Sequence, residues 1–135
     1  MTRENNLKLM HDLFAAAATG DVNEVLKYWA EDGVLVDWTL GRRVEGHAEL
    51  HPYLEMYFAA FPGLSFTPMN IITDDTHAVV EWEATTVHAG EFFGIPATGR
   101  SYDLQGADIF DIRDGKVQEE RSFYGSGDLF DRMRD

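Results

Sequence analysis

The chain has 135 residues, with 24 acidic against 11 basic side chains and a formal net charge of −13; that balance repels nucleic-acid phosphates and anionic membranes, so neither is expected as a partner. The absence of cysteine excludes disulfide frameworks, thiolate metal sites and thiol nucleophiles. A hydrophobic content of 44% and an aromatic content of 13% exclude disorder and suffice for one domain with a real core.

Leu7, Met10, Phe14 and Ala17 recur at helical spacing with Leu13 beside them, and Gly20 ends this first helix. Asp21 then offers an N-cap and Glu24, three residues on, a capping box. Val22, Val25, Leu26 and Trp29 form the stripe of a second helix that Gly33 stops, and Val34 to Thr39 reads as a short strand. A third helix is expected from about His47 to Ala60, with Leu50, Tyr53, Leu54, Tyr57 and Phe61 on one face. Pro52 falls either in its first turn, where the missing N–H costs little, or kinks it; Pro62-Gly63 closes the element.

Four strands follow: Phe66 to Thr73, His77 to Val87, Ser101 to Ile112 and Lys116 to Tyr124. Asp74-Asp75 marks one turn and Asp114-Gly115 a hairpin. Between the second and third strands, HAGEFFGIPATGR (His88 to Arg100) carries Gly90, Gly94, Pro96 and Gly99 and must be a shaped loop. Leu129, Phe130 and Met133 suggest a short terminal helix or docked tail. Helices followed by an antiparallel sheet are an α+β pattern, read as one domain over residues 1–135. No window approaches the roughly 20 apolar residues of a membrane helix, and MTRENNLKLM lacks an apolar signal core, so a cytoplasmic protein is expected.

The residues able to do chemistry are carboxylates and phenols. Alternation puts Asp108, Phe110 and Ile112 on one side of their strand and Ile109 and Asp111 on the other. If the first side faces the helices, Asp108 is a carboxylate in an apolar cavity, with a pKa raised by desolvation, usable as a base near neutrality or as a protonated donor. The bland alternatives are a solvated face or pairing with an arginine. Asp37 shares a side with Leu35 and is either a second such carboxylate or a turn residue. Glu120, Ser122 and Tyr124 alternate on the last strand, and Tyr53 and Tyr57 lie one helical turn apart. Tyr53, Tyr57 and Tyr124 are candidate oxyanion donors or core residues with a satisfied tip. Trp38, Trp82, Phe92, Phe110, Ser122 and Phe123 are candidate substrate contacts. His47 and His51 have the i, i+4 spacing of metal ligands but no evident third partner, and no phosphate-cradling glycine loop is present, so neither metal nor organic cofactor is expected. Adjacent apolar pairs, Val79-Val80 and Ile109-Phe110, leave both sheet faces partly apolar, which suggests a symmetric homodimer.

The order helix, Gly-Asp capping turn, helix, strand, helix and long sheet resembles the nuclear-transport-factor-two-like superfamily over nearly the whole chain. HAGEFFGIPATGR and IRDGKVQEE resemble the matching stretches of SnoaL-like polyketide cyclases. The resemblance implies a cone-shaped α+β barrel in which N-terminal helices pack on a curved, mainly antiparallel sheet enclosing a pocket, usually in a homodimer. In the related ketosteroid isomerases one aspartate shuttles a proton and a second, protonated, supports the oxyanion; by the resemblance these fall on Asp37 and Asp108. The tyrosine expected in the first helix falls on Leu13. The cyclases' catalytic aspartate falls on Ser122, their pocket histidine on Asp108, and a further acidic position on Gly125. The expected function is therefore a cyclase or isomerase using a pocket carboxylate, Asp108 first and Asp37 second, to move a proton next to a carbonyl of an apolar, oxygenated small molecule such as a polyketide or steroid-like compound. Epoxide hydrolysis or dehydration on the same scaffold, and a non-catalytic binding or assembly domain, are the alternatives.

Overall fold

The computed structural model describes residues 2–125; the predicted terminal helix over Leu129, Phe130 and Met133 lies outside them. Helix α1 (Arg3–Thr19) starts where the Thr2 hydroxyl accepts the Asn5 N–H and ends at Gly20, whose φ of 72° favours a residue without a side chain. Asp21 caps α2 (Val22–Leu26) as expected, accepting the N–H groups of Asn23 and Glu24. This helix is shorter than its apolar stripe suggests. Trp29 belongs instead to β1 (Trp29–Asp37), and Gly33, expected as a helix stop, lies inside that strand. A Cβ at Gly33 would stand 2.8 Å from the Trp29 ring and 3.1 Å from the Val117 carbonyl, so the close approach demands glycine.

A short strand that the sequence does not announce, β2 (Arg42–Glu45), precedes α3 (Gly46–Ala60). Pro52 is the seventh residue of α3, beyond its first turn, and the helix continues through it with the ring on the exposed side. Then come β3 (Ser65–Thr73), β4 (His77–Val87), β5 (Ser101–Arg113) and β6 (Lys116–Tyr124). The Asp114-Gly115 hairpin takes positive φ at both residues, 54° and 72°, as a tight twisted turn requires.

The six strands form one open sheet in the order β2-β1-β6-β5-β4-β3. Only β1 and β6 run parallel; every other pair is antiparallel. Helix α1 packs on β3 and β4 and α3 on β1 and β2, so the helices cover the inner sheet face. The core between them is built on Met10, Leu50, Val80, Phe110 and Val117, all fully or almost fully buried. Among the described residues, no helix is long and apolar enough to cross a membrane.

The loop after β4 clasps the end of α3. The N–H groups of Ala89 and Gly90 both donate to the Ala60 carbonyl, and a side chain at Gly90 would collide with the Ala59 carbonyl at 2.6 Å. Phe92, expected as a pocket wall, is wholly buried behind that wall. It packs on Phe61 (ring centroids 4.9 Å apart) and edge-on against Tyr57 (5.5 Å).

Candidate active site

Between the helices and the inner sheet face lies a cavity of about 130 Å³. Three strands bring carboxyls to it: Asp37 at the end of β1, Asp108 in the middle of β5 and Glu120 on β6. Helix α3 supplies Tyr53 and Tyr57, and β6 adds Ser122 and Tyr124. Trp82 and Phe110 are walls, as expected, and Leu13 occupies the α1 position where the resemblance would place a tyrosine. Trp38 and Phe123 are not walls. They are 60% and 43% exposed and stack on each other outside, ring centroids 6.3 Å apart, because the strand alternation that turns Asp37 and Ser122 inward turns the next residue outward.

Glu120 is the cavity residue to which sequence reasoning gave no role. Its direction is set by a β-bulge. Asp111 pairs with Glu119 but Ile112 pairs with Val117, so Gln118 is an extra residue on β6. The bulge shifts the alternation by one, so that Val117 and Glu120 share the inner face. Without it, the inward side chains beyond Val117 would be Glu119, Arg121 and Phe123. The visible signal was the alternation of Glu120 with Ser122 and Tyr124.

The two aspartates are equally buried, at 4% and 6% exposure, but differently engaged. Asp37 accepts the Leu40 N–H on Oδ1 and the Tyr124 hydroxyl on Oδ2, each at 2.8 Å. Burial raises its pKa; these bonds and a contact with the Thr39 backbone pull it back, and the charge of Asp108 pushes it up again. Asp108 is also raised, by burial first, against the lowering effect of Glu120, Ser122 and Trp82. Its Oδ1 is buried and has no hydrogen-bond partner among the described residues. The Tyr53 hydroxyl is likewise buried and unpartnered. Burial pushes all three tyrosines above the ordinary phenol value, so each stays a proton donor near neutrality.

His47 and His51 do not converge. The His47 ring Nε2 meets the Trp29 carbonyl at 3.1 Å, and His51 pairs with Glu55 at 2.5 Å. Among the described residues no three His, Cys, Asp or Glu side chains are grouped to hold a metal ion.

The pattern of the SnoaL-like domain matches residues 10–120, most of the chain and all the cavity-lining residues except Ser122 and Tyr124. The chain belongs to the SnoaL-like domain family. Its architecture recurs in a proposed SnoaL-like polyketide cyclase from Jannaschia sp. CCS1, 22% identical over 98% of this chain and 91% of that one, with a TM-score of 0.85. A proposed hydroxylase from Streptomyces galilaeus is 24% identical over 99% of this chain and 87% of the other, TM-score 0.81. A protein of ketosteroid isomerase-like fold from Catenulispora acidiphila, solved with trimethylamine, is 16% identical over 86% and 84%, TM-score 0.73. No curated protein matches the chain. Likeness at these identities establishes the SnoaL-like fold, while the reaction must be sought in the site.

Proposed function

We propose that this SnoaL-like domain is an enzyme that moves a proton next to a carbonyl of a neutral, largely apolar small molecule, leading to cyclisation or isomerisation. The observation that carries this reading is a buried carboxyl, Asp108, lining an apolar cavity, its pKa raised by that burial. Asp108 is the acid/base. Tyr53, Tyr57 and Tyr124 of the lining are the oxyanion donors. Asp37, held by Leu40 and Tyr124, orders the donor side of the site.

Two further features support a neutral substrate. The polar lining consists of three carboxyls, one serine and three tyrosines, with no Lys, Arg or His, so an anionic substrate group would find only like charge. The volume is close to that of a cavity known to hold benzene, about 150 Å³. One ring or one short ketide unit fits at the carboxyls, and a larger polycyclic substrate would extend beyond.

The test is solvent deuterium exchange at carbon. A panel of neutral cyclic ketones and β-dicarbonyl compounds is incubated with the protein in deuterated water and followed by NMR. Accelerated exchange at the α-carbon of at least one compound is expected. No exchange with any of them, together with incorporation of labelled oxygen into an epoxide or enone probe, would assign the cavity to hydrolysis or hydration instead.

A further inference from the structure

The Glu120 carboxyl is the group that the reading above leaves without a purpose. Asp108 pairs with Ser122 across β5 and β6, so Glu120, two residues earlier on β6, is its diagonal neighbour on the same sheet face. Both side chains line the cavity, and each carboxyl acts on the other's proton affinity. The bulge at Gln118 is what turns Glu120 toward Asp108, and Gln118 itself is tied back to the Arg113 and Lys116 carbonyls through its amide. The charged or titratable groups facing the pair are Asp37 from β1, Tyr53 and Tyr57 from α3, and Tyr124 from β6; α1 contributes only apolar side chains. None of these is a cation, so nothing in the lining neutralises two carboxylates side by side.

We propose that Glu120 is the positioning residue for Asp108: its protonated carboxyl donates to Asp108, and the two hold a single proton between them in the working enzyme. Two like charges at this range cannot both ionise near neutrality. Asp108 is the partner that loses its proton first, because it has neighbours that stabilise its charge, whereas burial and the charges of Asp108 and Asp37 all hold the proton on Glu120. Glu120 thus anchors the Asp108 carboxylate and fixes its orientation at the cavity wall. The inference rests on Asp108 being the acid/base, but the sharing of a proton can be read without any substrate.

The experiment is a carboxyl-carbon NMR titration of the intact protein, the Glu120→Gln variant and the Asp108→Asn variant, with amide spectra confirming that each is folded. In the parent the Asp108 signal is expected to move in two steps, the upper one coinciding with the titration of Glu120. Glu120→Gln should abolish the upper step, since glutamine can still donate but cannot ionise. Asp108→Asn should lower the Glu120 midpoint by about one unit or more. A single-step Asp108 titration in the parent, or an unchanged Asp108 profile in Glu120→Gln, would overturn the proposal. Loss of solvent exchange in Asp108→Asn with independent titrations would leave the catalytic reading standing and remove only the shared proton.

Discussion

Asp37 and Asp108 show how two residues of one type, buried to the same extent, are given different capacities by their hydrogen bonds. Asp37 has both oxygens engaged; Asp108 Oδ1 is buried with no hydrogen-bond partner among the described residues. The raised pKa of each has a consequence for stability. A carboxyl whose folded pKa lies above its unfolded value binds more protons in the folded state, so its contribution is full below the unfolded pKa and is lost as pH rises through the folded one. The protein is therefore expected to lose thermal stability as pH rises from the ordinary carboxylate range through the raised folded-state values of Asp37 and Asp108. Asp108→Asn, which cannot ionise, should lose less over the same range and melt higher than the parent at the upper pH, the usual cost of a functional buried charge. Thermal denaturation at both ends of that range checks this; a variant that melts lower than the parent at the upper end would show that Asp108 is ionised to the protein's benefit. Asp108, Asp37 and the three tyrosines were legible from alternation and helical spacing. That Asp37 is tied down and Asp108 is not depends on the turn from Trp38 to Leu40 and on Tyr124, 87 residues away, and no local pattern contains that distinction.

At the scale of elements, the strands with clean alternation and bounded by turn residues were readable almost to the residue. The limits of β4 and β6 are those expected from sequence. The misses have a common physical cause. The first half of β1 contains Glu31, Asp32 and Gly33 and has no strand pattern of its own; it is held between the pairing of Trp29 with Val117 and that of Val34 with Glu119, with an irregularity between them, on a strand distant in sequence. The four residues of β2 are strand only by virtue of β1. The bulge at Gln118 changes parity within β6 and conceals the direction of Glu120. A second close approach shapes the site at Gly106, where a Cβ would stand 2.5 Å from the Phe123 carbonyl and 2.6 Å from the Trp82 ring. Gly106→Ala is expected to destabilise the fold by about 1–3 kcal/mol through overpacking and to displace Trp82 from the cavity wall. Urea unfolding reports the first effect and Trp fluorescence the second; a variant as stable as the parent with an unshifted spectrum would mean that the contact is relieved without cost.

For the whole molecule, the acidic surface and a cavity lining with carboxyls and no Lys, Arg or His disfavour anionic ligands, while the outer sheet face carries apolar surface with no described use. Val79 and Ile109 are half-buried there, and the Trp38–Phe123 stack is exposed nearby. We propose that this face is covered by a second copy of the chain in a homodimer. Light scattering should give twice the chain mass, and Ile109→Lys should shift it toward the monomer; a monomeric parent would reject the proposal. The central claim is that one carboxyl, Asp108, is the acid/base of the cavity. The most direct measurement is the rate of α-carbon deuterium exchange for whichever ketone the parent accepts, compared among the parent, Asp108→Asn and Asp37→Asn, all shown to be folded. The account predicts a loss of about 100-fold or more for Asp108→Asn and a smaller loss for Asp37→Asn. Exchange that survives in Asp108→Asn, or falls furthest in Asp37→Asn, would contradict it.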